Sequence, residues 1–256
     1  MCDLFAVSTG ADRDKRLAVA LTVLEVMKKP LFIPSLALLG IGSSVAQDIP
    51  YGVEAVTGVR SGYVFRGFKL ADFSLDFQLE SEIALGKDVF LNVGGSHLAE
   101  SDGDFSETAA FFDLRRSFED FSVGGSLSYR HFDHFVFESG VDFGFFADYL
   151  FNDEWDARVS LFYDTGAEGF YASGDFNWSK PLNEDSFVAV NGGISFVSDY
   201  YGRDGLNDVF GKLSYAYNIN ESVAVTPFMG FSIPIEESDF ADDSEVYGGF
   251  SFQVIF

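Results

Sequence analysis

The chain has 256 residues, among them 31 Phe, 11 Tyr, 26 Gly and a single Cys, and its 40 acidic and 16 basic side chains give a formal net charge of −24. That charge argues against nucleic acid or anionic phosphate as partner, since an acidic surface repels phosphate. One cysteine excludes an internal disulfide, and beyond the first fifth of the chain no apolar run reaches the ~20 residues of a spanning helix.

The front of the chain reads as an export signal. Met27-Lys28-Lys29 is a basic start, Pro30 to Gly42 a short apolar middle, and Ser44-Val45-Ala46 a set of small residues at a cleavage site. The spacing predicts a signal peptide over 27–46 and a mature chain from Gln47. The apolar middle is too short for a membrane anchor. Residues 1–26 lie upstream of this signal and read as an extension from a misplaced start codon, with Met27 the initiator. Cys2 falls in that extension, and no lipobox precedes it. Without residues 1–46 the chain loses five basic and four acidic residues, leaving 11 against 36 and a net charge of −25.

From Tyr51 onward, alternating segments and turns succeed each other. The first segment, Tyr51 to Arg66, sets Val53, Ala55, Val59, Tyr63 and Phe65 on one parity and Glu54, Arg60 and Arg66 on the other. The second is the clearest. Phe73, Leu75, Phe77, Leu79, Ile83 and Leu85 alternate with Ser74, Asp76, Gln78, Glu80, Glu82 and Ala84, a period of two that an amphipathic helix cannot produce. Further strands are predicted near 89–98, 107–116, 121–131, 137–150, 155–164, 170–179, 187–197, 207–217 and 223–235. The turn at 180–185 contains Pro181, which cannot donate to a ladder.

The twelfth segment, Glu245 to Phe256, places Val246, Gly248, Phe250, Phe252, Val254 and Phe256 on one face and mostly polar residues on the other. An apolar face meeting lipid and a polar face meeting water is the pattern of a transmembrane strand. Its end also resembles the C-terminal signature of Gram-negative outer-membrane barrels. That resemblance implies an assembly signal at Phe252, Val254 and Phe256, read by the barrel-assembly machinery. The expected fold is therefore all-β: a transmembrane antiparallel up-and-down β-barrel of about 12 strands over residues 47–256. An even count returns both termini to one side, and the shorter connections (86–88, 117–120, 151–154, 180–185, 218–221) fall on that side. The repeat Val93-Gly94-Gly95-Ser96 and Val123-Gly124-Gly125-Ser126, echoed at Gly192-Gly193 and Gly248-Gly249, reads as strand coiling or close packing, because no helix follows any of these pairs.

Ser61-Gly62-Tyr63-Val64-Phe65-Arg66-Gly67 resembles the opening motif of the TorF-type porins, small outer-membrane barrels with a signal peptide. The resemblance implies a porin-like function and carries no catalytic residues.

The inward parity carries Glu54, Asp76, Glu80, Glu82, Asp113, Glu138, Asp142, Asp148, Asp156, Asp164 and Asp175 against Arg60, Arg66, Arg115, Arg130, Arg158 and Lys212. An excess of carboxylates favours cations. The expected function is an outer-membrane channel for passive diffusion of small cationic or neutral solutes, with Glu80, Glu82, Asp142, Asp148, Asp156, Arg60, Arg130 and Arg158 lining the lumen and setting selectivity. One alternative is a structural or adhesion barrel whose charges pair across the lumen and close it. Another is an outer-membrane hydrolase using Ser128 with His131, Asp133 and His134. The acidic runs Glu100, Asp102, Asp104 and Glu107, and 236–243, lack the spacing of an EF-hand loop, and read as solvated loops bridged by divalent cations to lipopolysaccharide. No cofactor or resident metal is expected. The expected partners are outer-membrane lipid and lipopolysaccharide, the barrel-assembly machinery, small solutes and a second copy of the chain in a homo-oligomer, with no nucleic acid.

Overall fold

The computed structural model describes residues 51–235 and 244–256; the predicted extension 1–26, signal 27–46 and acidic loop 236–243 lie outside the described residues. The strands are β1 (Tyr51–Arg60), β2 (Tyr63–Phe65), β3 (Phe68–Ala71), β4 (Ser74–Ala84), β5 (Val89–Glu100), β6 (Ser106–Ser117), β7 (Phe121–Asp133), β8 (Gly140–Leu150), β9 (Trp155–Asp164), β10 (Gly169–Asn183), β11 (Ser186–Tyr200), β12 (Arg203–Asn220), β13 (Val223–Pro234) and β14 (Glu245–Ile255). All but β2 and β3 form one closed antiparallel barrel in which each strand pairs with its sequence neighbours, and β1 closes the ring by pairing with both β4 and β14. Those twelve wall strands match the expected fold.

Glu54 opposes Ile255 across the β1–β14 seam, so the start and end of the barrel share one rim, called here the terminal rim. Turns on that rim are short: 85–88, 118–120, 151–154, 184–185 and 221–222. The opposite rim carries longer connections, above all 61–73, and also 101–105 and 134–139. Closure leaves the wall no free edge, as a bilayer requires.

The alternation seen in the sequence sets the two surfaces of the wall. Leu75, Phe77, Leu79, Leu127, Tyr129, Phe143, Phe145, Leu161, Phe176, Leu213, Phe250 and Phe252 project outward and are exposed. Near the terminal rim the outer surface carries aromatic rings, with Phe118 stacked on Phe121 at 4.4 Å and Trp155 opposite Trp178 across the β9–β10 ladder. An apolar band flanked by such rings suits the bilayer and its interfaces.

The paired glycines have a packing role. One glycine of each pair faces inward and lies under an aromatic ring from a nearby strand: Gly94 under Phe111, Gly124 under Phe146 and Gly193 under Phe210. Gly144 and Phe162 repeat the arrangement. A Cβ at any of these positions would meet the ring, so glycine is what lets the ring lie against the wall.

Three expectations are corrected. The first segment does not run from Tyr51 to Arg66. β1 ends at Arg60, and Tyr63 and Phe65, expected on the lipid side, are each only 2% exposed, inside the barrel. Glu138, expected on the lumen wall, is an exposed residue of the 134–139 connection. The 180–185 segment is mostly strand: β10 continues through Pro181 to Asn183 with a register shift there, and only Glu184 and Asp185 turn. A bulge is where a strand tolerates proline.

Candidate functional site

The short strands β2 and β3 form a hairpin that folds into the barrel at the rim opposite the termini. Its turn is Arg66-Gly67, with φ of 50° and 82°. Two successive positive φ values give the two-residue turn whose twist matches a tight hairpin. Glycine accepts this freely, whereas for Arg66 it costs about 1–3 kcal/mol that surrounding contacts must offset.

Those contacts form a continuous chain of charge across the lumen. The Arg66 guanidinium lies 3.0 Å from Asp142 on β8 and 3.3 Å from Asp164 on β9, and it donates to the Tyr200 hydroxyl at 2.7 Å. Tyr200 in turn donates to Asp164 at 2.9 Å. Asp142 is shared with Arg130 on β7, whose Nε lies 3.2 Å away, and Arg130 is also ion-paired to Glu107 on β6. Glu107 accepts the hydroxyl of Tyr63, which belongs to β2. The network thus begins and ends on the hairpin and crosses β6, β7, β8 and β9. Two buried guanidiniums alternate with three buried carboxylates, the arrangement that lets charges leave water without being left unpaired.

Backbone contacts fix the same turn from the other wall. Asn207 on β12 donates to the Arg66 carbonyl at 2.9 Å, and Arg203 donates to the Gly67 carbonyl at 3.1 Å. The Arg203 guanidinium also lies 3.9 Å from the Phe68 ring centroid. Asp208 accepts from Ser195 and, at 2.7 Å, from Ser232. At the outer end of the hairpin, Lys69 bridges Glu245 on β14 at 2.7 Å.

Around this frame sits the apolar core. Tyr63, Phe65, Phe68, Leu70 and Ala71 of the hairpin pack with wall and loop residues, among them Leu98, Phe105, Phe132 and Phe137. Phe65 lies 5.5 Å from Phe132 and Phe68 5.3 Å from Phe137, centroid to centroid. His134, in the connection above, accepts the backbone N–H groups of Val136 and Phe137 at Nδ1. Burial lowers its pKa, with Glu100 partly opposing the shift.

Toward the terminal rim the interior changes character. Glu54 on β1 stands directly opposite Glu80 on β4. In the neighbouring row Glu82, Asn92 and Asp113 follow one another across β4, β5 and β6. Glu82 is ion-paired to Arg115 at 3.0 Å, and Glu80 accepts from Gln78 at 2.8 Å. Like charges directly opposite are unfavourable in a ladder, so this wall holds a concentration of negative charge. Farther round the ring, Arg158 bonds Asp148 at 2.5 Å, and Asp156 accepts from Asn177 at 2.7 Å.

The expected lumen residues therefore fall into two groups. Arg130 and Asp142 belong to the buried network that holds the hairpin. Arg60 is ion-paired to Asp76 near the same rim. Glu80, Glu82, Asp148, Asp156 and Arg158 line the terminal half. Phe252, Val254 and Phe256 lie on the outward parity, and the Phe256 amide donates to the Val53 carbonyl at 2.9 Å across the seam. Tyr63, Tyr200, Arg203, Asn207 and Asp208 were not anticipated at the site. Glu107, expected in a solvated acidic loop, is inside the barrel, and Glu100 accepts the Asp72 backbone N–H; the two do not form one cation site. The hydrolase arrangement does not assemble. Ser128 faces the lumen beside Asp142, whereas His131 projects outward and bonds Ser139.

Between the hairpin and the β8–β14 wall lies a cavity of about 130 Å³, lined by residues that include Arg66, Arg158, Ser160, Ser173, Asp175 and Phe210.

No protein-family model matches the chain, and no curated protein matches it. The barrel is similar to solved outer-membrane barrels. With the KdgM porin the TM-score is 0.54 at 9% identity, over 80% of this chain and 99% of that one. With the NanC porin it is 0.53 at 9% identity, over 80% and 98%. The COG4313 outer membrane channel from Pseudomonas putida F1 gives 0.55 at 9% identity, over 86% and 100%. At these identities the likeness is one of fold: the chain is a closed twelve-stranded antiparallel β-barrel whose fold is similar to theirs.

Proposed function

We propose that the protein is a porin-like channel of the Gram-negative outer membrane, passing small cationic or neutral solutes, with the β2–β3 hairpin as its constriction. The observation that carries this reading is the contrast between the surfaces of one closed wall, apolar outside and charged inside. A wall of that kind separates lipid from a polar interior. The TorF resemblance at Ser61–Gly67 fits, because those residues span the entry into the hairpin and its turn. In this reading the rim that bears the termini is periplasmic and the hairpin rim faces outward. The lipid band contacts outer-membrane lipid and lipopolysaccharide, and the Phe252, Val254 and Phe256 strand end is the assembly signal.

Selectivity follows from the terminal half. The arginines nearest the hairpin are held by Asp142, Asp164 and Glu107. Glu54, Glu80 and Asp113 are bonded instead to neutral amide or hydroxyl groups, and their field favours cations in a narrow polar passage. The reversal potential of the purified protein in a planar bilayer under a potassium chloride gradient tests this, and the expected sign is potassium over chloride. An anion-selective reversal potential would overturn the assignment.

A second reading, a structural barrel without an open pore, is favoured by the apolar core that the hairpin forms at the outer rim. The two readings separate on whether the unaltered protein conducts.

A further inference from the structure

We propose that the cavity beneath the hairpin is a solute-binding site for one neutral, polyhydroxylated ring such as a monosaccharide. The inference rests on the channel reading only for the route by which the solute arrives.

Size comes first. The cavity measures about 130 Å³, and one water needs roughly 10–15 Å³ by this kind of measure, so the space holds on the order of ten waters. That is room for a single six-membered ring with its hydroxyls.

Charge comes second. Arg66 and Arg158 are balanced in the lining by Asp175 and Asp208, and these groups already have partners. Arg66 holds Asp142 and Asp164, Arg158 holds Asp148, and Asp208 accepts Ser195 and Ser232. A cation would lie beside Arg66 and Arg158, and an anion would gain a counter-ion only by breaking one of the arginine pairs and leaving the old partner in a poorly solvated interior. A neutral solute breaks none of them.

Hydrogen bonding comes third. Ser160 and Ser173 bond one another at 2.7 Å on facing strands, and Ser232 donates to Asp208. Each hydroxyl offers one donor and two acceptor sites, so after these bonds the serines retain capacity for hydroxyl partners. Phe210, laid against the wall over Gly193, supplies an apolar surface in the same cavity. Hydroxyls at the edge and C–H groups on the face are what a saturated sugar ring presents.

The test uses the full barrel in detergent with D-glucose as probe, and D-glucuronate, D-glucosamine and L-proline as anionic, cationic and zwitterionic controls. Ligand-observed saturation-transfer NMR measures binding, and liposome swelling measures entry. The expected result is saturable D-glucose binding, stronger than for the three controls. It should weaken about tenfold in Ser160→Ala/Ser173→Ala and again in Phe210→Leu, while Ser222→Ala, in the 221–222 turn on the terminal rim, leaves it unchanged. Heat-modifiable migration of each variant reports that the barrel is closed. Glucose entry without saturable binding, binding indifferent to both cavity variants, or preference for any charged or zwitterionic control would overturn the site and leave the channel reading in place. Saturable glucose binding with no solute entering liposomes would support the site and overturn the channel.

Discussion

Arg66 and Asp142 are 76 residues apart in sequence, yet their side chains meet at 3.0 Å inside the barrel. The contact ties a strained hairpin turn to the start of β8. Removing one partner of a buried pair leaves an uncompensated charge and costs about 3–5 kcal/mol. Arg66→Ala is therefore expected to lower the unfolding midpoint and to loosen the hairpin, seen as faster proteolysis at 61–73. Asp142→Asn should weaken the same attachment and also disturb Arg130. A double-mutant cycle checks the pair: if the two losses simply add, Arg66 and Asp142 do not act together.

The hairpin was hidden in the sequence for a definite physical reason. Tyr63 and Phe65 continue the parity of Val53, Ala55 and Val59, and an aromatic at that parity serves equally well against lipid or inside a plug. Two signals could have revealed it. A segment from Tyr51 to Arg66 is longer than the roughly 9–11 residues a spanning strand needs, and Arg66-Gly67 between aromatics is a hairpin turn signal. By contrast, the wall strands were legible, since Leu75, Phe77 and Leu79 against Asp76, Gln78 and Glu80 admit only a two-sided strand. The partners of Arg66 were not legible, because ion pairs 76 and 98 residues apart depend on closure of the whole ring.

Selectivity should respond to carboxylates of the terminal half and not to those that hold the hairpin. Replacing Glu54, Glu80, Asp113 and Asp156 by Gln or Asn is expected to move the potassium-to-chloride permeability ratio toward one while conductance persists. The effect should be largest at low salt and shrink at 1 M, where the Debye length is about 3 Å. An unchanged ratio would place the selective element elsewhere, with Arg115 and Arg158 the next candidates.

The outer connection should respond to pH through His134. Its neutral form is favoured because Nδ1 accepts two backbone N–H groups and burial disfavours the charge. A histidine whose folded pKa is depressed contributes stability that is full above its unfolded pKa of about 6.5 and is lost as pH falls through the lower folded value. Amide exchange at Val136 and Phe137, corrected for the intrinsic rate, should therefore accelerate between pH 7 and pH 5. His134→Ala should exchange faster at both pH values and lose the dependence. Equal protection of the unaltered protein at both pH values would remove His134 from this role.

Assembly should depend on Phe256. Phe256 projects outward from the strand that closes the ring, and its amide completes the ladder with Val53. Deleting it is expected to lower the yield of heat-modifiable protein in the outer membrane several-fold with little change in synthesis. Full yield would mean that the assembly signal lies elsewhere in the chain.

The most direct test of the account is single-channel conductance in planar bilayers for the unaltered protein and for a variant in which residues 62–72 are replaced by a short Gly-Ser linker. Removing the hairpin takes away the core around Phe65 and Phe68 and leaves the twelve wall strands paired. Small, cation-selective steps are expected for the unaltered protein, and steps several-fold larger for the variant. Equal conductance in the two would contradict the hairpin as constriction, and a silent unaltered protein would contradict the channel itself.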